Sequence, residues 1–338
     1  MSRLILHIGT HKTATTSIQR FLRHNQAALA ERGVFYPDYS LINRKPHYAH
    51  LGMVNALSGR HKNYSRELAE TYFAKVRERM TDYDLTIISG EPFYRHVEND
   101  PSDDPYYEPE EYWPLRNAYI ARMREVFGEA EVVVVFRRQI DYAQSLYQEH
   151  VKVTSYRGNF KQFLQEFWFH FVFSDQANAW NAAFPGLKAL SFDQLNATGD
   201  TVAEFCRLLN IPVEGLEPLP RANEGLPTDM VILKRMLHRT PVDRDRLREQ
   251  IRTLAEKLPD EVQQMAQMRS FFQSAGDMQT YQDSHTANNE LLRPFLVHDL
   301  ADDMPIFRTN SKPGLIFGDR VKPQVLLAML DLCVPNAD

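Results

Sequence analysis

The sequence predicts an α/β fold in three layers, with a central parallel sheet flanked by helices and a helical C-terminal extension. Short apolar runs of buried-strand length begin at Leu4, Leu85, Val132 and Leu187. Each run is followed by residues with the apolar spacing of a helix. Because strands that alternate with helices form βαβ units, these strands are expected to pair in parallel. A single domain is predicted for residues 1–338, with a core to about residue 225 and helices over 226–338.

Composition and charge bound the class of protein. The chain has 338 residues, and 43% of them are hydrophobic, which is enough apolar material for a large core. A formal net charge of −5 gives no whole-chain attraction to nucleic acid, so a nucleic-acid partner is not expected. No apolar run approaches the ~20 residues that a membrane span needs.

The start of the chain and its cysteine content predict a cytoplasmic protein that holds no metal. The first strand begins by Leu4, which leaves no room for a signal segment ahead of it. Cys206 and Cys333 are the two cysteines of the sequence, and each lies in an apolar helical pattern. That placement argues against a disulfide framework and against a zinc site.

Residues 4–19 have the pattern of a strand, a turn and a helix, the arrangement in which phosphate sites are built. Gly9 follows the apolar run and lets the chain turn. The free N–H groups at the start of the helix point at the turn and attract an anion. The hydroxyl residues around Lys12 are Thr10, Thr13, Thr15, Thr16 and Ser17. The turn is therefore a candidate phosphate site, although similar turns also occur without a ligand.

The loop is P-loop-like in position but departs from the ATP-binding pattern Gly-x-x-x-x-Gly-Lys-Ser/Thr. With Gly9 as the first glycine, Ala14 occupies the place of the second glycine and Thr15 that of the lysine. The lysine is instead Lys12, three residues after Gly9. Ala14 is expected either to keep φ below zero or to distort the loop slightly, because it lacks the freedom of glycine.

A second strand end carries two arginines. Val132 to Phe136 is an uninterrupted apolar run, as in a central parallel strand, and Arg137 and Arg138 follow it. Ser145 lies eight residues after Arg137, two turns into the next predicted helix. A guanidinium fork with a hydroxyl suits a dianion such as a phosphate. Alternatively, the two arginines mark a solvated strand end that faces acidic neighbours.

Together, the Lys12 loop and the Arg137-x7-Ser145 spacing resemble the sulfotransferases that use 3′-phosphoadenylyl sulfate (PAPS), including bacterial and carbohydrate sulfotransferases. The resemblance covers roughly residues 3–225. It implies a metal-free transfer of a sulfuryl group from PAPS to an acceptor hydroxyl, which releases adenosine 3′,5′-bisphosphate. The residues that it implies for nucleotide binding are Gly9, Lys12, Thr13, Ala14, Thr15, Thr16, Ser17, Arg137, Ser145 and, in a short Arg-x-Asn element, Arg221.

The resemblance also implies catalytic roles. Lys12 would lie against the oxygen that bridges phosphate and sulfate, where negative charge grows as the S–O bond breaks. Glu91 follows the buried strand that begins at Leu85, and a glutamate at this strand end is the base in carbohydrate and many bacterial sulfotransferases. Glu91 is therefore the candidate base, and His11 is the reserve. Alternatively, Glu91 only pairs with Lys12 or Arg95 and organises the pocket.

The acceptor is not specified by the sequence. The segment 43–65 and the acidic, proline-containing segment 98–113 are predicted to be irregular loops that line its cleft. A carbohydrate or glycolipid hydroxyl is the predicted acceptor group. Two functions of other classes stay open: an atypical P-loop kinase and a non-catalytic nucleotide-binding protein. The missing Gly-Lys pair argues against the kinase.

Overall fold

The chain divides into two compact units. The computed structural model describes residues 2–99, 107–219, 226–298, 300–309 and 312–333. The first unit is formed by Met1–Arg138, Phe169–Ala222 and Thr286–Arg308. The second unit is formed by Gln139–Trp168, Asn223–His285 and Thr309–Asp338. Residues 139–168, which follow the Val132 strand in the predicted core, thus group with the C-terminal helices.

The first unit contains a five-stranded sheet. The described strands are β1 (Arg3–His7), β2 (Val34–Phe35), β3 (Leu85–Ser89), β4 (Glu131–Phe136), β5 (Lys188–Ser191), β6 (Arg269–Ser270) and β7 (Ile316–Phe317). The first five form one sheet in the order β2-β3-β1-β4-β5, and every neighbouring pair is parallel. The last two pair with each other in the second unit. The predicted α/β fold with a central parallel sheet is confirmed.

Helices make up most of the remaining described structure. They are α1 (Thr15–His24), α2 (Gln26–Ala30), α3 (Leu51–Leu57), α4 (Arg66–Arg79), α5 (Pro92–Arg95), α6 (Pro109–Phe127), α7 (Gln139–Val153), α8 (Phe160–Glu166), α9 (Phe173–Ala183), α10 (Phe192–Ala197), α11 (Thr201–Leu208), α12 (Thr228–Leu237), α13 (Arg244–Lys257), α14 (Asp260–Gln267), α15 (Ala275–Asp283), α16 (Thr286–Glu290) and α17 (Pro323–Cys333). Within the described ranges, none of these helices combines the length and apolar character that crossing a membrane requires.

Helices cover both faces of the sheet in the first unit. Successive side chains of a strand point to opposite faces, so each strand contributes apolar side chains to both. On one face, Ile5 of β1 and Val133 of β4 belong to a core shared with α1 and α11. On the other face, Phe136 of β4 stacks on Phe173 of α9, with 4.6 Å between ring centroids. Covered in this way, the parallel sheet presents the carboxyl ends of β1, β3 and β4 at one edge.

The second unit has a core of its own, formed by α12, α13, α14 and α17 around residues such as Met230, Leu247 and Ile251. Next to this core, Arg269 and Asp229 form an ion pair of 3.0 Å, and neither side chain is more than 1% exposed. The guanidinium of Arg269 also donates to carbonyl groups of β7 and of the loop after it. This buried pair therefore ties β6, β7 and α12 together.

Several predicted element boundaries are wrong. Residues 109–113, predicted to be irregular, form the start of α6, because Pro109 at the first helical position sacrifices no intrahelical hydrogen bond. Residues 100–106 of the same acidic segment lie outside the described residues. α3 lies within the segment 43–65, which was expected to be a loop. In the part of the chain after residue 225, where helices were predicted, Pro241 separates the helices α12 and α13.

Candidate functional site

The carboxyl ends of β1 and β4 are neighbours at the centre of the sheet. From β1 the chain crosses toward β2 on one side, and from β4 it crosses to β5 on the other side. Ligands of open α/β sheets bind where the direction of crossing switches in this way. The Lys12 loop follows β1 and Arg137 follows β4, so two predicted anion-binding segments meet at this point.

Hydrogen bonds tie the Lys12 loop to the end of β4. Thr10 Oγ1 donates to the carbonyl oxygen of Val135 at 2.7 Å. Arg137 Nη1 donates to the carbonyl oxygen of Lys12 at 3.0 Å. The guanidinium of Arg137 also lies over the ring of Phe192, 5.4 Å from its centroid. Arg137 is therefore held beside the crown of the loop, the turn that contains Lys12, although 125 residues separate the two in the chain.

Threonine hydroxyls shape the loop from inside. Thr13 Oγ1 donates to the carbonyl oxygen of Thr10 at 2.7 Å, and Thr15 Oγ1 lies 3.4 Å from the same oxygen. Both threonine side chains are buried, whereas Lys12 is exposed at the crown. The half-buried residues of the loop are His11, Ala14, Thr16 and Ser17. The hydroxyls of Thr13 and Thr15 thus hold the loop together, and the described structure has no side-chain cap on the first turn of α1.

Two residues of the loop have left-handed backbone conformations. The φ angle is 66° at Lys12 and 61° at Ala14. Of the two expectations for Ala14, a negative φ is therefore wrong, and the residue adopts the conformation that glycine takes without strain. For a residue with a Cβ this conformation costs roughly 1–2 kcal/mol.

Replacing Ala14 by glycine is expected to raise the free energy of unfolding by about 0.5–1 kcal/mol, since the relieved strain exceeds the entropy that glycine adds to the unfolded chain. Urea unfolding would measure the change. The matched control is Ala121→Gly in the exposed face of α6, where the same substitution should destabilise by about 1 kcal/mol. Equal destabilisation by both substitutions would contradict the left-handed conformation of Ala14.

The second arginine of the β4 end has a structural role. Arg138 is 3% exposed, and its Nη1 donates to the carbonyl oxygen of Arg308 at 3.2 Å. The alternative of a solvated strand end is therefore wrong for Arg138. Arg137 is half-buried and contacts the loop.

The structure does not test the roles of two residues that were predicted to bind the nucleotide. Ser145 is half-buried in α7, which belongs to the second unit. Arg221 lies outside the described residues. The roles of both residues stay predictions of the sequence.

Glu91 lies immediately after the carboxyl end of β3, where the chain enters α5. Gly90, just before it, donates its N–H to the carbonyl oxygen of His7 at 3.1 Å, which attaches this segment to the end of β1. Burial raises the pKa of the Glu91 carboxyl, while its own backbone N–H, the Gln19 amide and the charge of Arg95 lower it in part. The site therefore holds a half-buried carboxylate at the same sheet edge as the Lys12 loop.

A chain of hydrogen bonds reaches Glu91 from residues that were not predicted to belong to the site. Gln19 Nε2 lies 3.3 Å from Glu91 Oε2 and 3.1 Å from Ser89 Oγ. Ser89 Oγ lies 2.9 Å from His7 Nδ1. None of the three partner side chains is more than 1% exposed. The sequence contained one signal that Gln19 could belong to the site. Gln19 follows Thr15 by four residues, so both lie on one face of α1.

Gly9 is required by the close approach of His7. A Cβ atom at position 9 would lie 2.9 Å from His7 Nε2 and 3.1 Å from Thr15 Oγ1. Separations near 3 Å are shorter than carbon atoms tolerate without displacement of the neighbour. The glycine therefore lets the loop close over the imidazole of His7.

Two buried side chains fix the backbone on either side of Glu91. His50 Nδ1 accepts the N–H of Ser89 at 3.0 Å, and its Nε2 donates to a backbone carbonyl at 2.8 Å. Arg116 donates to two backbone carbonyls of the segment 94–96, at 2.8 and 2.6 Å. Because both side chains are buried, removing either would leave polar backbone groups without a partner.

The buried histidines predict a loss of stability in mild acid. Burial lowers the pKa of His7 to about 3 and that of His50 to about 4. Below the unfolded pKa of about 6.5, the unfolded chain binds protons that the folded protein excludes, so stability decreases as pH falls. At pH 5 each histidine is expected to lower the free energy of unfolding by about 2 kcal/mol relative to its value at neutral pH.

Unfolding by urea at pH 7.5 and pH 5 tests this dependence. In His50→Asn, the amide oxygen can still accept the N–H of Ser89. The decrease in the free energy of unfolding from pH 7.5 to pH 5 should be smaller in this variant than in the wild type by about 2 kcal/mol. A decrease of the same size in the variant and in the wild type would contradict the assignment.

His11 lies in the loop between Thr10 and Lys12 and is half-buried. Its role as the reserve base stays a prediction. Within the residues that the structure describes, no three His, Cys, Asp or Glu side chains come together as metal ligands would.

Comparison with known proteins gives one structural likeness. No protein-family model and no curated protein matches the chain. The structure is similar to the crystal structure of a sulfotransferase from Alicyclobacillus acidocaldarius, over 75% of this chain and 96% of that chain. The identity is 12% and the TM-score is 0.43. At these values, the function has to be argued from the site itself.

Proposed function

We propose that this chain is a sulfotransferase that moves a sulfuryl group from PAPS to an acceptor hydroxyl by in-line displacement. The observation that carries the proposal is the 3.0 Å hydrogen bond from Arg137 Nη1 to the carbonyl oxygen of Lys12. It joins a guanidinium to a lysine-bearing loop where the sheet switches direction. Cations at two neighbouring strand ends suit a nucleotide that carries phosphate at both ends of its ribose.

The composition of the loop favours PAPS over ATP as the donor. An ATP-binding loop has its lysine directly before the Ser or Thr that holds Mg²⁺. Here Thr15 stands in that place, and Lys12 is exposed at the crown of the loop. A lysine at the crown can neutralise charge on the oxygen between phosphate and sulfate, which replaces the neutralising role of Mg²⁺ in ATP chemistry.

The proposed reaction assigns one role to each group. The acceptor oxygen attacks sulfur as Glu91 takes its proton, and the S–O bond to the 5′-phosphate breaks. Lys12 stabilises the leaving phosphate oxygen, and the backbone N–H groups at the start of α1 hold that phosphate. Arg137 binds the 3′-phosphate, with Ser145 and Arg221 as predicted partners. Adenosine 3′,5′-bisphosphate and a sulfate ester are the products.

For the acceptor, we propose a carbohydrate or glycolipid hydroxyl. Burial raises the pKa of Glu91, and electrostatic interactions that include one with His47 lower it in part, so part of the segment 43–65 lies near the candidate base. This segment carries aromatic rings, such as the stacked pair of His61 and Tyr64 at 4.3 Å. Aromatic faces with a few polar groups are usual linings of small-molecule sites.

Calorimetric titration tests the donor. The protein should bind adenosine 3′,5′-bisphosphate more tightly than ATP, with or without Mg²⁺. Arg137→Ala should weaken bisphosphate binding about 10- to 100-fold, because it removes a hydrogen-bonded charge. Arg248→Ala, at an exposed position of α13, serves as the control and should bind normally.

Three outcomes separate the candidate functions. Turnover of labelled PAPS on a carbohydrate or glycolipid acceptor, with bisphosphate binding that depends on Arg137, supports the sulfotransferase. ATP binding that needs Mg²⁺ and exceeds bisphosphate binding would support the kinase instead. Bisphosphate binding without turnover on any acceptor would support a non-catalytic nucleotide-binding protein.

A further inference from the structure

We propose that Gln19 is a positioning residue for Glu91, which holds one oxygen of the carboxylate and links it to the helix that carries the Lys12 loop. The inference rests on the proposed function and adds to it a residue that lies in neither anion-binding motif. It is carried by the buried chain of hydrogen bonds Glu91–Gln19–Ser89–His7.

The chemistry of the end groups sets the direction of each hydrogen bond. An ionised carboxylate only accepts, so the amide nitrogen of Gln19 must face Glu91. The second hydrogen of that nitrogen lies toward Ser89, whose Oγ is 3.1 Å and whose carbonyl oxygen is 3.4 Å away. Ser89 Oγ then has its own hydrogen left for His7 Nδ1 at 2.9 Å. The amide therefore has one favourable orientation.

His7 anchors the far end of this chain. The imidazole is 0% exposed and lies against the ring of Phe205, 4.8 Å between centroids. Because burial lowers its pKa to about 3, His7 is neutral, and with Nδ1 accepting from Ser89 its proton is on Nε2. In the described structure Nε2 has no hydrogen-bond partner, and it lies beneath Gly9. The chain thus begins under the loop and ends at Glu91.

This arrangement couples the base to the donor loop. Gln19 lies one helical turn after Thr15, whose hydroxyl approaches the carbonyl oxygen of Thr10 inside the loop. The Lys12 loop and α1 therefore follow β1 as one continuous segment, and Gln19 of that segment contacts Ser89 at the end of β3. Transfer between bound groups requires reacting atoms within about 3–3.5 Å of each other. Gln19 is placed to set the distance from the donor phosphate to the carboxylate.

Several charges and titratable groups surround Glu91, and Gln19 provides a neutral side-chain donor in addition to the backbone N–H of Glu91 itself. Arg95 acts from α5, and His47 acts from the segment before α3. The pKa of Tyr36, after β2, is raised in part by Glu91. The Gln19 hydrogen bond lowers the pKa of Glu91 against the effect of burial. Without that bond, the base would take up its proton at a higher pH.

Gln19→Met tests the inference, since methionine keeps the length of the side chain and removes the donor. We expect kcat for PAPS and acceptor to fall about 10- to 100-fold, the effect of losing one hydrogen bond to a charged group. The acid limb of the pH profile of kcat should move to higher pH, and calorimetric binding of adenosine 3′,5′-bisphosphate should stay unchanged. The matched control is Gln263→Met in α14, which removes an amide donor from a carbonyl at 2.8 Å in the second unit and should change none of these.

A double substitution separates positioning from a general loss of structure. Gln19→Met combined with Glu91→Gln should be no slower than Glu91→Gln alone, because the amide then has no base to position. Additive losses of kcat, or an acid limb that coincides with that of the wild type, would overturn the inference. Absence of bisphosphate binding and of turnover in the wild type would instead overturn the proposed function.

Discussion

Replacing Glu91 by glutamine is expected to lower kcat with PAPS and acceptor by about 10²- to 10⁴-fold, the usual contribution of a general base. Glutamine keeps the size of the side chain, and its carbonyl oxygen can still accept from Gln19 Nε2, which lies 3.3 Å from Glu91 Oε2. What is lost is the carboxylate that is proposed to take the acceptor proton. Binding of adenosine 3′,5′-bisphosphate should be unchanged, because the nucleotide is assigned to the Lys12 loop and Arg137. Turnover with labelled PAPS and calorimetry would measure the two effects.

The control for this substitution is Glu78→Gln, at an exposed position of α4, which should leave kcat unchanged. If Glu91→Gln retained wild-type kcat, the carboxylate would only organise the pocket. The reserve base His11 would then be the residue to test, and His11→Asn should abolish turnover. If kcat fell in both variants, a shift of the acid limb of kcat in Gln19→Met would identify Glu91 as the base, because Gln19 Nε2 lies 3.3 Å from its carboxylate.

The sheet and the loop could be predicted because their signals are local. The apolar residues Leu4, Ile5, Leu6 and Ile8, followed by Gly9 and then by helical spacing, specify a strand, a turn and a helix within one short segment. The same holds for the β4 segment that ends at Arg137. Because parallel strands present their carboxyl ends at one edge, the neighbourhood of Lys12 and Arg137 followed from the fold class.

The buried chain of hydrogen bonds could not be predicted in the same way. Gln19 contacts residues that are 70 and 72 positions away in the chain, and a polar residue in an amphipathic helix normally faces water. His7 occupies a strand position where an apolar residue would satisfy the same pattern. Its role depends on Ser89 in a neighbouring strand, which only the register of β1 and β3 brings opposite to it.

The backbone conformation of the Lys12 loop was the other feature that could not be predicted from the sequence. The pattern of residues 9–15 left two conformations open for Ala14, because either a negative φ or a distorted loop could accommodate its Cβ. The hydrogen bonds of Thr13 and Thr15 to the carbonyl oxygen of Thr10 close the loop, with φ values above 60° at Lys12 and Ala14. Side chains thus decide the loop geometry through contacts that have no periodic signature.

Replacing Lys12 by glycine is expected to lower kcat by about 10²- to 10³-fold, since it removes the charge proposed to stabilise the leaving phosphate oxygen. The substitution also separates catalysis from folding. Because φ is 66° at Lys12, glycine should adopt this conformation with less strain, and the free energy of unfolding should rise by about 0.5–1 kcal/mol. A variant that is more stable and yet slow cannot owe its slowness to unfolding.

The comparison with Lys12→Arg completes the test of Lys12. Arginine keeps the positive charge, so kcat should recover in part, while the strain of the left-handed conformation should return. The ratio of kcat between the glycine and arginine variants therefore measures the charge at the crown of the loop, and urea unfolding measures the backbone. If Lys12→Gly turned over PAPS at the wild-type rate, the ammonium would not act on the leaving oxygen, and the anion would have to be stabilised by the N–H groups of α1 and by Arg137 alone.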